Sequence, residues 1–253
     1  MAESGDEMKH AVYAGTRNLY EPMVWSAKSL YANSGVDRIH FLIEDDEFPY
    51  EMPDFCDFLN VKEYADGMFP DGGPNANSHF TKFAMVRICY CELLPDVDMV
   101  LQLDADTVVM RDVDAIWNLP MDGKWFAATH EALSGYDPYG SGHYHNVGVC
   151  LFNLAQMRED GAQDKLVALI NSRRMGCVEQ DALNIEGAMH GKAVDMPVEF
   201  NENRATGYTD DPAIVHFVGY MDWQTNPRLA RREYLKLYRD KPWKEIQRLH
   251  DAR

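Results

Sequence analysis

The chain has 253 residues, 46% of them hydrophobic, and a formal net charge of −17. Length and apolar content suit one large α/β domain or two small ones with a sizeable core, and exclude a disordered chain. The charge argues against non-specific nucleic-acid binding and against docking on anionic lipid, and it makes a cation welcome in any acidic cleft.

In chain order, residues 10–16 read as a first strand and 20–32 as the helix after it. Residues 36–43 form a second strand, closed by the acidic turn Glu44-Asp45-Asp46-Glu47. A short helix is expected over 49–58 and a short strand over 61–64. The Gly-, Pro- and Asn-rich stretch 66–77 is long enough to be a functional loop. An amphipathic helix is expected over 80–94, ended by Pro95. Residues 99–103 are the central strand, 107–110 continue extended, and strands follow at 125–129 and 147–153, with an irregular Gly- and Tyr-rich stretch at 134–145 between them. Helices are expected over 155–172 and 179–189, a late strand over 214–217 and a charge-dense helical segment over 228–253. Strands alternating with helices predict an α/β fold with a mostly parallel, doubly wound sheet in a single domain, residues 1–9 being a flexible tail. Such sheets bind ligands beyond the carboxyl ends of their strands, where Thr16 and Asp104 fall.

The most informative motif is Asp104-Ala105-Asp106, at the end of the apolar run Met99-Val100-Leu101-Gln102-Leu103. Two carboxylates two residues apart point the same way if the segment stays extended. A strand that ends on such a pair suits a divalent metal with hard oxygen ligands, and through it a diphosphate. The five cysteines lack zinc-ligand spacing and read as reduced thiols of a cytoplasmic protein. No run reaches the roughly 20 apolar residues of a membrane span, and the polar, acidic start is unlike a secretory signal.

Five motifs in order resemble glycosyltransferase family 8, the family of glycogenin, galactinol synthases and bacterial lipopolysaccharide galactosyltransferases. They are Gly15-Thr16-Arg17-Asn18-Leu19-Tyr20, the unit from Phe80-Thr81-Lys82-Phe83 to Asp104-Ala105-Asp106, His145-Asn146-Val147-Gly148-Val149, Glu179-Gln180-Asp181-Ala182-Leu183-Asn184, and Val215-His216-Phe217-Val218-Gly219. The resemblance implies a GT-A fold, a Rossmann-like twisted sheet with flanking helices. It also implies a retaining hexosyltransferase with a UDP-glucose or UDP-galactose donor and a carbohydrate, polyol or protein acceptor. The implied cofactor is Mn²⁺, with Mg²⁺ as the alternative.

By the same resemblance Asp104, Asp106 and His216 are the metal ligands of a DxD-type site. Thr16 and Tyr20 hold the uracil, Tyr20 by stacking, and Arg17 stands where relatives often carry Asn or Asp. Lys82 lies near the donor phosphate or sugar, and Ala105 and Gly219 belong to the donor-binding set. Asn146, Glu179, Gln180 and Glu131 line the donor sugar, with Gln180 beside the anomeric carbon as an amide dipole. The Glu179 position is usually Asp. Where many relatives carry Lys-Pro-Trp after the histidine motif, this chain has Met221-Asp222-Trp223, so either Arg228, Arg231 or Arg232 takes over the phosphate contact or the diphosphate rests mainly on the metal and Lys82. Two other readings remain open: a sugar-nucleotide-binding module without turnover, and a sugar-1-phosphate nucleotidyltransferase, whose glycine-rich loop is matched only at Gly15. Self-glycosylation, with Tyr136, Tyr139 and Tyr144 as loop-borne acceptors, is a further possibility.

Overall fold

The computed structural model describes residues 8–218 and 238–253. Four strands run parallel: β1 (His10–Ala14), β2 (Arg38–Ile43), β3 (Cys56–Asn60) and β4 (Met99–Leu103). β6 (Phe126–His130) and β7 (His145–Asn153) pair antiparallel, β7 is antiparallel to β4, and β8 (Ala193–Asp195) is parallel to β6. The order across this seven-stranded, mostly parallel sheet is β3-β2-β1-β4-β7-β6-β8. A separate antiparallel pair, β5 (Thr107–Val109) with β9 (Ile214–His216), stands beyond the end of β4.

The two-residue period of a strand explains the core. Ala11, Tyr13, Leu101 and Leu103 pack on one face of the sheet, and Val12, Ala14 and Val100 on the other. Both faces are covered, so these strands read as nearly continuous apolar runs. Helix α1 (Tyr20–Ala32) covers the first face through Met23, Ala27 and Leu30. The segment with Phe83, Ile88 and Tyr90 covers the second. Val12 pairs with Gln102, so β1 and β4 deliver their carboxyl ends side by side.

Several sequence expectations are corrected. Residues 49–55 are not helical, and the chain enters β3 at Cys56, which lies opposite Ile39. Pro49 and Pro53 bias their predecessors away from the helical region, and β2 offers an open edge. The expected strand at 61–64 is helix α2 (Lys62–Met68), begun where Asn60 Oδ1 accepts from Lys62 N at 3.0 Å. The expected helix 80–94 comes in three pieces: α3 (Lys82–Met85), a 3₁₀ turn Val86–Cys89 and α4 (Tyr90–Leu93). Its middle carries Val86, Ile88 and Cys89, all weak α-formers. The helix expected over 155–172 breaks at Gly161 (φ 59°), which separates α5 (Leu154–Glu159) from α6 (Ala162–Ser172). Helix α7 spans Val178–Glu186, and β8, only three residues long, was not expected. At the C-terminal end the helix Trp243–Asp251 packs against α1; the rest of the expected helical segment lies largely outside the described residues. Among the described residues no helix is long and apolar enough to cross a membrane.

Candidate active site

Beyond Leu103 the chain turns. Asp104 N donates to Gly148 O at 2.7 Å, and Thr107 Oγ1 closes the turn on Asp104 O at 2.8 Å. The acidic pair therefore converges through a turn and not through extended periodicity, a correction to the reading above. β5 then pairs with β9, which sets His216 opposite Thr107, while Phe217 N donates to Asp106 O at 2.9 Å. One ligand atom each from Asp104, Asp106 and His216 thus falls within 4.8 Å of the others. His216 Nε2 is 3.4 Å from Asp104 Oδ2 and 3.3 Å from Asp106 Oδ1. Burial alone would lower the pKa of this imidazole; Asp106 and Asp104 override it and push the group up to about 10. The cluster favours positive charge, and two carboxylates with one imidazole form a donor set that fits Mn²⁺ or Mg²⁺.

The other side of the site is built by β7 and the first turn of α7. Gln180 Oε1 accepts from Val147 N at 3.1 Å, and its amide nitrogen donates to Glu131 Oε1 and to Tyr144 Oη, both at 3.2 Å. Asn146 Nδ2 donates to the same Glu131 oxygen at 2.8 Å. Glu179 is 3% exposed, and burial pushes its carboxyl up to about 7 despite the nearby Arg87 guanidinium. Two residues further on, fully buried Asp181 accepts from Tyr139 Oη and Gly176 N at 2.9 Å, Cys177 N at 3.1 Å, Tyr136 Oη at 3.5 Å and Tyr144 Oη. This clasp ties the 134–145 stretch to α7. Tyr144 is buried by it, while Tyr136 and Tyr139 keep part of their surface exposed.

Between the two sides lies a cavity of about 310 Å³. Asp104, Glu131, Asn146, Glu179, Gln180 and His216 line it, as do Arg87, Cys177 and Arg204. Arg87 was missed by sequence reasoning. Its guanidinium bridges Asp104 Oδ1 (2.6 Å) and Glu179 Oε1 (3.4 Å), and these carboxylates hold it firmly charged despite burial. The available signal was a lone charge inside the apolar run Phe83-Ala84-Met85-Val86-Arg87-Ile88-Cys89. Asn201, also missed, is fully buried with Oδ1 3.0 Å from His216 Nδ1.

The remaining predicted residues fall elsewhere. Thr16 and Arg17 follow the end of β1. Arg17 forms a two-point pair with Asp45 (2.5 and 3.0 Å), while Thr16 Oγ1 donates to Asn18 Oδ1 at 2.6 Å. Tyr20 is 1% exposed; its ring packs on Phe48 and its hydroxyl donates to Asp45 Oδ2 at 3.0 Å. A ring so covered has no open face for a base, so the stacking expectation gives way to a role in fixing Asp45. Lys82 Nζ is held at 2.6 Å by both Asp66 and Asp71, away from the cavity lining. Ala105 is buried inside the acidic turn. Gly219, Asp222, Arg228, Arg231 and Arg232 lie outside the described residues.

Residues 10–225 match the family described as Glycosyl transferase family 8. The chain belongs to glycosyltransferase family 8. Among family-like relatives, General stress protein A of Bacillus subtilis (strain 168) is 25% identical over 203 residues, 67% of this chain and 69% of that protein. Glucoside xylosyltransferase 1 of Gallus gallus is 28% identical over 155 residues, 55% of this chain but only 35% of its own length. The structure of the galactosyltransferase LgtC with donor and acceptor sugar analogues superposes with a TM-score of 0.70 at 19% identity, covering 94% of this chain and 99% of LgtC. That likeness gives the fold, GT-A, and family 8 membership supports a glycosyl transfer function.

Proposed function

We propose that this family 8 chain is a retaining hexosyltransferase that moves glucose or galactose from a UDP-sugar to a carbohydrate, polyol or protein acceptor. Asp104, Asp106 and His216 hold Mn²⁺, or Mg²⁺ in its place. The observation that carries this reading is that Asp104 and His216 of that three-residue cluster line one cavity with Asn146, Glu179 and Gln180. When bound, the ion offsets the negative charge that grows on the leaving diphosphate. A cytoplasmic setting belongs to the same reading, since all five cysteines are free thiols.

The chain's own groups divide the work. Thr16, Arg17, Ala105 and Gly219 serve the nucleotide end, with Tyr20 bracing Asp45 beneath it. Lys82 is not among the residues that line the cavity, whereas Arg204 is, so Arg204 is the better-placed phosphate contact. Glu179, Asn146 and Gln180 hold the sugar. Of the nearby carboxylates, Glu131 accepts from two amides, Asp181 is closed off by its tyrosines, and Glu179 has one oxygen 3.4 Å from Arg87 and the other buried without a hydrogen-bond partner. This favours a front-face displacement in which the leaving phosphate oxygen takes the acceptor's proton and no side chain forms a covalent sugar adduct.

The test is nucleoside-diphosphate release from UDP-, GDP-, ADP- and TDP-sugars with and without Mn²⁺, with Asp106→Asn as control. Release from a UDP-hexose alone, dependent on both Mn²⁺ and Asp106, is the expected result. Mn²⁺-dependent UDP binding without release, even with a panel of acceptors, would turn the reading to a binding module. Release of pyrophosphate from a nucleoside triphosphate and a sugar phosphate would turn it to a nucleotidyltransferase.

A further inference from the structure

The orientation of the Asn201 side chain is fixed by its neighbours, and the reasoning starts from backbone groups whose roles cannot change. Gly148 N–H donates to Asn146 Oδ1 at 3.1 Å, so the Asn146 amide nitrogen must face Glu131, as it does at 2.8 Å. Asn146 therefore turns only acceptors toward Asn201: its Oδ1 at 3.0 Å and its backbone oxygen at 3.3 Å. Ala205 N–H and Thr206 N–H donate to Asn203 Oδ1 at 2.7 and 3.0 Å. Asn203 must then turn its amide nitrogen toward Asn201, reaching Asn201 Oδ1 at 3.0 Å. Between two acceptors on one side and a donor on the other, only one placement of the Asn201 amide satisfies every group. Its nitrogen faces Asn146 and its oxygen faces Asn203 and His216.

The consequence falls on the imidazole. Asn201 Oδ1 lies 3.0 Å from His216 Nδ1 and can only accept, so Nδ1 must carry the proton. Nε2, on the far side of the ring, is the atom that faces Asp104 and Asp106. Asn201 and Asn203 are 0% and 3% exposed, so water does not compete for these bonds. Histidines that bind metals are commonly fixed in this way through the other ring nitrogen.

We propose that Asn201 is a positioning residue that fixes His216 as the Nδ1–H tautomer, aims the Nε2 lone pair at the cation site, and ties that imidazole to Asn146 at the sugar end of the cavity. The proposal rests on the cation site of the proposed function. One buried amide then joins both ends of the site: it accepts from a metal ligand and donates to a sugar-facing residue.

Two measurements test it. The first uses the wild-type chain with ¹⁵N-labelled histidine, saturated with Mg²⁺, and reads the two-bond ¹H–¹⁵N pattern of His216. The Nδ1–H pattern is expected, and an Nε2–H pattern would overturn the proposal. This readout needs no variant and so does not depend on how a variant folds. The second measures Mn²⁺ binding by electron paramagnetic resonance of the free ion, in wild type and in Asn201→Leu and Asn201→Ser, each checked for a cooperative melt. Removing an outer partner of a ligating histidine is expected to weaken Mn²⁺ binding by about 10- to 100-fold. Binding within twofold of wild type in a folded variant would overturn the proposal. A wild-type chain that binds no Mn²⁺ would instead remove the cation site itself, so the two failures are distinguishable.

Discussion

Gly148 lies directly beneath the His216 ring. A Cβ at position 148 would overlap the imidazole and come within 2.6 Å of Nδ1, and the same glycine's carbonyl oxygen holds Asp104 N. The close approach of β7 to β9 thus depends on a residue with no side chain. Gly148→Ala is expected to push the imidazole off Nε2 alignment and weaken Mn²⁺ binding at least about tenfold. Overpacking should cost about 1–3 kcal/mol. Calorimetric titration with Mn²⁺ and a urea melt on the same sample check both effects.

Arg87 is a buried cation between Asp104 and Glu179. Arg87→Met leaves buried Glu179 without its cation and strips partly buried Asp104 of one of its two, which is expected to cost about 3–5 kcal/mol. Adding Glu179→Gln to that variant should recover part of the loss. A double-mutant cycle from urea denaturation of the four proteins measures the coupling.

The metal-free protein should also show a pH effect at Glu179. Its folded pKa, about 7, lies above the ordinary 4.5, so the folded chain holds a proton that the unfolded chain releases between those values. The resulting stabilisation is full below pH 4.5 and is lost as the pH rises through about 7. Above that the ionised carboxylate burdens the fold by an amount on the order of 3 kcal/mol. Glu179→Gln should therefore resist urea better than wild type at pH 8, and the gap should close by about pH 5.

Asp181 is expected to govern the order of the 134–145 stretch. Asn at that position would bring an amide donor to a place surrounded by donors, with a loss of about 1–3 kcal/mol. Limited proteolysis should cut Asp181→Asn within that stretch before it cuts wild type. Cleavage at equal rates would show that the tyrosines do not depend on the carboxylate.

Arg204, if it touches the diphosphate, should matter for UDP and not for uridine. Arg204→Gln is expected to weaken UDP binding by about tenfold, in line with the loss of one charge-assisted contact. Equal loss for uridine, measured by the same titration, would point to a general disturbance of the cavity.

What could be read in the sequence followed from locality. The apolar run before Asp104 identifies its own strand, and the motif around His216 sits on a strand of its own, so both could be placed from neighbours in the chain. Arg87 could not be paired in advance, because its partner Glu179 stands 92 residues away and only the packing of α7 against the Val86–Cys89 turn joins them. The same holds for Asn201, whose surroundings Phe200-Asn201-Glu202-Asn203 carry no local signal for a bond to His216. Tyr20 failed for another reason. Its position in the motif is local, but its burial is decided by Phe48, which follows the next strand. The helix expected over 80–94 had the right buried face and the wrong continuity, because periodicity reports which side is apolar and not whether every turn is α.

The two oxygens of Asp104 face different partners. Oδ1 is taken by Arg87 at 2.6 Å, and Oδ2 faces His216 at 3.4 Å. With one oxygen engaged by a guanidinium, this carboxylate can enter a coordination sphere as a single-toothed ligand only. Together with one imidazole nitrogen and Asp106, the chain then falls short of the six oxygen or nitrogen donors that a hard divalent ion takes. If the cluster holds such an ion, the unfilled positions leave room for oxygens from a bound substrate, so UDP is expected to tighten the ion's binding beyond what the chain achieves alone.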